Sequence, residues 1–195
     1  METKDLLKLN LKRLIPAIRG DWFLSDGGLL GIERQGDLIE WDNDLDIYLL
    51  PGSTIDKDIL REQGLETQDY YSDTKVYNPL LEKNKLNTWK EYMSYQRVLN
   101  RDKKLNRSQI MKLSSIDYKE NKIIPKFTYP YIDVYYLRDD LSVNEWNIKY
   151  DEKDMELEEN FDLGFKIYLP NNRDKVLTML YGEDWRIPDP NFQHV

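Results

Sequence analysis

Asp42, Asp44 and Asp46 stand at every second position in the run LIEWDNDLDIYLL. A strand sends successive side chains to opposite faces, so this spacing places three carboxylates on one face and Asn43, Leu45, Ile47 and Leu49 on the other. Crowded carboxylates repel, and each raises the cost of ionising its neighbours unless a cation sits among them. An oxygen-only donor set suits a hard divalent cation, Mg²⁺ or Mn²⁺, which takes a few carboxylates and completes its shell with water and substrate phosphate oxygens. The plain alternative is a solvent-facing strand with acids on its wet side, although wet faces usually mix signs.

A further acid, Asp133, lies inside the apolar and aromatic run YPYIDVYYL, where an unpaired carboxylate is costly to bury. If that strand lies beside the one bearing Asp44, Asp133 completes a three-carboxylate cluster, able to ligate metal or to take a proton from an attacking hydroxyl. At a sheet edge it would simply reach water. Gly27 and Gly28 let backbone N–H groups come close to a phosphate, and a helix after them turns its positive end to the same anion. A double glycine before a helix is more often just a tight turn. Arg34 adds a bidentate contact for a diphosphate, or is one more surface arginine.

The elements that must position these residues can be read from periodicity. Leu7, Leu11, Leu14 and Ile18 recur at helical spacing, predicting an amphipathic helix whose last turn Pro16 disturbs. Residues 21–25 read as a strand, Gly27 and Gly28 as a turn, and LLGIER as a helix. A second turn at Gly36 and Asp37 leads into the acidic strand, which Pro51 and Gly52 close. A helix over residues 55–63 follows. Strand character returns in KIIPKF and in YPYIDVYYL, then comes a loop-like acidic stretch, DEKDMELEEN. A strand over residues 165–169 is stopped by Pro170, and a helix over 172–180 ends near Gly182. No internal repeat or linker interrupts this order, which predicts one α+β domain over residues 1–195 with a mixed sheet flanked by helices.

Composition narrows the chemistry. The 195 residues contain no cysteine, which excludes disulfides, thiolate metal sites and thiol nucleophiles. The one histidine is His194, so acid and base work falls to carboxylates. A cytoplasmic location is expected, and no apolar run near the start approaches the length of a secretory core or a membrane span. The net charge of −8 is uneven: residues 83–126 hold twelve Lys or Arg against four acids, leaving −16 for the rest. Such a basic stretch could face an anionic ligand across an acidic metal site, or be a solvated surface. Nucleic acid is a disfavoured partner for so acidic a chain.

Taken together, GGLLGIERQGDLIEWDNDLDIYLL resembles the LicD and fukutin-related protein family, which carries a glycine-rich turn, an LLG, an arginine and a WDxDhD-type segment. YIDVYYL is similar to that family's later strand with its single aspartate, and LPNNRDKVLTMLYGEDWRIP to its C-terminal proline, helix and YG signature. Glu40 replaces the proline usual before the tryptophan, and Asn43 a frequent acid; neither change removes a ligand. The resemblance implies a nucleotidyltransferase-like fold that transfers a phospho-alcohol, such as phosphocholine, ribitol phosphate or glycerol phosphate, from a CDP-linked donor to a glycan hydroxyl, releasing CMP. In that picture Asp44 and Asp46 hold the metal, Asp133 is the third acid, Gly27 and Gly28 cradle the diphosphate, and Arg34 and Asp42 line the donor site. Acceptor recognition is left to the basic and aromatic middle, where Trp89, Tyr92, Tyr95 and Arg97 could meet sugar or base, or belong to the core. Two other readings stand beside this one: transfer of a whole nucleoside monophosphate with release of pyrophosphate, and binding without turnover.

Overall fold

The computed structural model describes residues 3–42, 44–69, 73–77, 130–143 and 148–188. The described residues all fall in one unit, built from Met1–Tyr77 and Pro130–Val195.

The chain starts with α1 (Thr3–Leu14), which buries Leu7, Leu11 and Leu14 along the stripe their spacing predicts. Pro16 cannot donate to a helical bond. The helix accordingly gives way to a 3₁₀ turn over Ile15–Ala17, and Ile18, expected on the helix, instead enters β1 (Ile18–Arg19). There it pairs with Ile55 of β4 (Thr54–Ile55).

Among the described residues the main sheet has five strands, β2 (Trp22–Ser25), β3 (Asp44–Leu49), β5 (Glu66–Asp69), β6 (Asp73–Tyr77) and β7 (Tyr131–Tyr136), in the order β2-β3-β7-β6-β5. Only β3 and β7 run parallel; the other pairings are antiparallel. The sheet is therefore mixed, and the fold is α+β. Leu45, Ile47 and Leu49 point into the core as alternation predicts. Each such fully buried aliphatic side chain stabilises the fold by roughly 1.5–3 kcal/mol, so Ile47→Ala alone should cost about 2–5 kcal/mol.

Between β2 and β3 lies α2 (Asp26–Gln35), which Gly36 closes with φ 68° and an N–H bonded to the Ile32 carbonyl. That conformation strains any residue with a Cβ. After β4, α3 (Lys57–Glu62) is capped by Asp56, whose carboxylate accepts from the Asp58 and Ile59 N–H groups. Asn10, buried on α1, donates from Nδ2 to the Pro130 carbonyl at 3.2 Å and so ties the first helix to the entrance of β7.

A second sheet pairs β8 (Leu157–Asn160) with β9 (Ile167–Pro170). The acidic run expected to be a loop thus ends in a strand, because its backbone finds a partner while Glu158 and Glu159 stay at the surface. Pro170 closes β9 from inside the strand. The last described helix, α4 (Arg173–Tyr181), ends at Gly182 as expected.

Candidate functional site

β3 and β7 bring the acids together. Their parallel register sets Asp46 beside Asp133 and Asp44 beside Tyr131, while β2 on the other side sets Ser25 beside Asp46. Neighbouring strands lie ~4.8 Å apart, and residues two apart on a strand share a face, so Asp44, Asp46 and Asp133 occupy one patch of one face. β7 is an interior strand and Asp133 is 5% exposed, so this acid does not sit at a sheet edge reaching water.

The same face turns aromatic one step further on. Tyr48 stacks on Phe23 and on Tyr135, with ring centroids 5.5 and 5.0 Å apart, and Tyr150 packs edge-on against Phe23 and Tyr48. This apolar floor keeps water from one side of the acids. Burial is accordingly the main cause pushing the Asp46 carboxyl well above the usual range, followed by the negative charges of Asp26, Asp44, Asp133 and Asp42.

Asp26 was not among the residues expected here. It follows Ser25, the register partner of Asp46, and opens α2 with φ 46°, a left-handed conformation that a residue with a side chain rarely adopts. Its charge helps to raise the phenols of Tyr48, Tyr150 and Tyr181, after burial in each case. The available signal was its place, an acid wedged between a strand and a glycine pair.

Asp42 belongs to the site by a different route from the one its spacing suggests. It is not on β3 but in the turn before it, its N–H bonded to the Ile39 carbonyl at 3.3 Å. From there its carboxylate reaches α2: a Cβ on Gly27 would lie 2.4 Å from Asp42 Oδ2. Beside it, Trp41 is 83% exposed. Asn43 lies outside the described residues.

The two glycines form no turn. Ser25 is the N-cap of α2, so Gly27 and Gly28 lie in its first turn, directly after β2. Each is dictated by a close approach, Gly27 by Asp42 and Gly28 by the Cδ1 atoms of Leu24 and Leu45, 2.8 Å from where a Cβ would be. Their N–H groups belong to the set that a helix leaves without intrahelical acceptors, at the positive end of its dipole. Arg34, at the other end of α2, donates from Nη2 to the Trp185 carbonyl and, at 3.2 Å, to that of Ile187. Its guanidinium thus ties the segment after α4 to α2, and a donor contact would come in addition to that.

Among the described residues, no group of three acids closes into a ready set of metal ligands, and no helix is long and apolar enough to cross a membrane. The run KIIPKF, the basic stretch 83–126 with Trp89, Tyr92, Tyr95 and Arg97, and His194 lie outside the described residues.

Residues 20–75 match the family model described as LicD/FKTN/FKRP, nucleotidyltransferase domain. The matched segment carries Asp26, Gly27, Gly28, Arg34, Asp42, Asp44 and Asp46, while Asp133 lies beyond it. No curated protein matches the chain. Through the strand, helix and acidic strand of residues 20–75, the chain is similar to the LicD/FKTN/FKRP nucleotidyltransferase-domain family.

Proposed function

We propose that the chain is a metal-dependent transferase that moves a phospho-alcohol, such as phosphocholine, ribitol phosphate or glycerol phosphate, from a CDP-linked donor to a glycan hydroxyl with release of CMP. The observation that carries this reading is the pairing of Asp46 with Asp133, two residues on from Asp44, next to the strand that leads into the first turn of α2. A nucleotidyltransferase-like arrangement of one domain over residues 1–195, in a cytoplasmic setting that suits its lack of cysteine, belongs to the same proposal.

The donor set fits a hard divalent cation, Mg²⁺ or Mn²⁺. It is made of carboxylate oxygens, and the strongest influences on Asp46 after burial are four other negative charges, an arrangement that a cation relieves. Asp44, Asp46 and Asp133 would hold the ion, with Asp26 close by. When bound, a divalent cation supplies positive charge against the diphosphate and the departing nucleotide.

The other steps fall to the chain's own groups. The first-turn N–H groups at Gly27 and Gly28 bind diphosphate oxygens. Asp133 accepts the proton of the glycan hydroxyl, and the freed oxygen bonds to the phosphorus that carries the alcohol. The bond from that phosphorus to the bridging oxygen breaks, and CMP departs with the oxygen. The aromatic floor of Phe23, Tyr48 and Tyr135 limits competing water.

The family's description as a nucleotidyltransferase domain favours a second reading, transfer of a nucleoside monophosphate with release of pyrophosphate. The two separate by leaving group. Purified protein is incubated with Mg²⁺ and a panel of CDP-alcohols and nucleoside triphosphates, with and without glycans, while CMP and pyrophosphate are followed. CMP that needs one CDP-alcohol and disappears in Asp46→Asn supports the transferase. Pyrophosphate from a triphosphate supports the second reading, and silence from every donor despite metal and nucleotide binding points to an untested donor or a binding-only protein.

A further inference from the structure

Tyr131 opens β7, and its register partner on β3 is Asp44. The phenol donates to Asp44 Oδ2 across 2.8 Å, and the residue is 7% exposed. Two positions along the same strands stand Asp46 and Asp133, so this bonded pair adjoins the acidic row directly. An O–H bond to a carboxylate is one of the stronger hydrogen bonds, more so where water is scarce.

Bonded through Oδ2, the Asp44 carboxylate is tethered against rotation, and Oδ1 is the oxygen that this bond does not engage. Without the tether it could swing freely about its last torsion, which is a soft one. We propose that Tyr131 is a positioning residue for the metal site, its hydroxyl fixing the Asp44 carboxylate in the orientation that receives a divalent cation. The proposal rests on the metal-dependent reading above and extends it to a residue beyond the family match, on the strand that also delivers Asp133.

Mn²⁺ alone is the probe. Its binding to the full chain is measured by calorimetry and by loss of the free-ion paramagnetic resonance signal, in wild type, Tyr131→Phe, Asp44→Asn and the double variant. Outer bonds of this kind typically contribute 10- to 100-fold to metal affinity, so Tyr131→Phe should bind about 10-fold more weakly or worse, with an unchanged far-UV spectrum. Because the hydroxyl acts through Asp44, the same change should cost less than about 2-fold once Asp44 is Asn. Equal affinity of Tyr131→Phe and wild type overturns the proposal, and so does an undiminished further loss in the Asp44→Asn background. A Tyr131→Phe chain that loses its far-UV signal makes the hydroxyl structural and overturns it as well. Wild type that binds no Mn²⁺ removes the metal-dependent reading itself, an outcome visible before any substitution is made.

Discussion

Asp46 and Asp133 stand 87 positions apart in the chain and are direct register partners in the parallel pair of β3 and β7. Each meets the other's charge, and Asp46 also meets those of Asp26, Asp44 and Asp42. Substituting Asn for either acid keeps the shape and removes one negative charge. Transferase activity should fall by about 100-fold or more, as when a protein loses one group that stabilises charge in a reaction. Relief of repulsion should at the same time raise the melting temperature of metal-free Asp46→Asn by roughly 2–4 °C per kcal/mol recovered. Melting curves in EDTA check the second half; an unchanged or lower melting temperature would contradict the crowding of these charges.

Gly27 and Gly28 are adjacent but should fail in different ways. Alanine at Gly28 drives a methyl into Leu24 and Leu45 within the core, and overpacking of this kind costs about 1–3 kcal/mol, offset in part by alanine's better helix propensity. Alanine at Gly27 displaces only the Asp42 carboxylate, the free end of a short side chain. Gly28→Ala should therefore lower the urea midpoint, whereas Gly27→Ala should leave it near wild type and lose activity. A Gly27→Ala variant with full activity would take Asp42 out of the site.

Asp37 sits at the end of α2 and bonds to Lys8 at 2.5 Å and Lys4 at 3.0 Å on α1. Burial alone would raise its carboxyl, but the bonds from Lys8 and Lys4 and the Leu38 N–H outweigh that and hold it below 3.8. A lowered value in the folded state gives stability that is fully present above the unfolded value and is lost as pH falls through the folded one. The pair is partly exposed, so the contribution is at most about 1 kcal/mol. Asp37→Asn should be less stable than wild type at pH 7 by that amount, with the gap closing below pH 3.8 and narrowing in high salt. Urea melts at two pH values and two salt concentrations measure it.

Arg34 bonds to the carbonyls of Trp185 and Ile187 beyond α4. Hydrogen bonds from a charged donor contribute about 1.5–3 kcal/mol each when well enclosed, and this one is half-buried. Arg34→Ala should lose roughly 1–2 kcal/mol in urea unfolding and expose the bond after Arg186 to trypsin under native conditions. Unaltered trypsin resistance would mean that other contacts of Trp185, such as its Nε1–H bond to Asp174, suffice to hold that segment.

The sequence carried the acidic site further than it carried the architecture around it. Period-two spacing placed Leu45, Ile47 and Leu49 inside and Asp44 with Asp46 on the opposite face, because alternation is a local property of a strand. It overreached at Asp42, where the backbone has already turned, and at Ile18, where helical spacing continued past a proline that ends the helix. The pairing of β3 with β7 was reached only as a condition, since strand partnership is non-local and leaves no mark in either segment. Asp26 escaped notice because a lone acid before two glycines has no period to betray it. The acids of β8 read as a loop because that strand buries neither face fully, and its signal is the partner rather than its own residues.

One consequence follows from where the chain leaves and rejoins the main sheet. Tyr77, the last residue of β6, is the register partner of Tyr131, the first of β7. Departure and return are therefore neighbours, as at the closed end of a hairpin, although 53 residues separate the two positions. A two-residue Asn-Gly junction suits such a pair of antiparallel strand ends. The frame that carries Asp46 and Asp133 thus has the topology of a socket: an engineer could exchange residues 78–129 for another segment at a single seam, leaving every described strand pairing of the sheet in its original order.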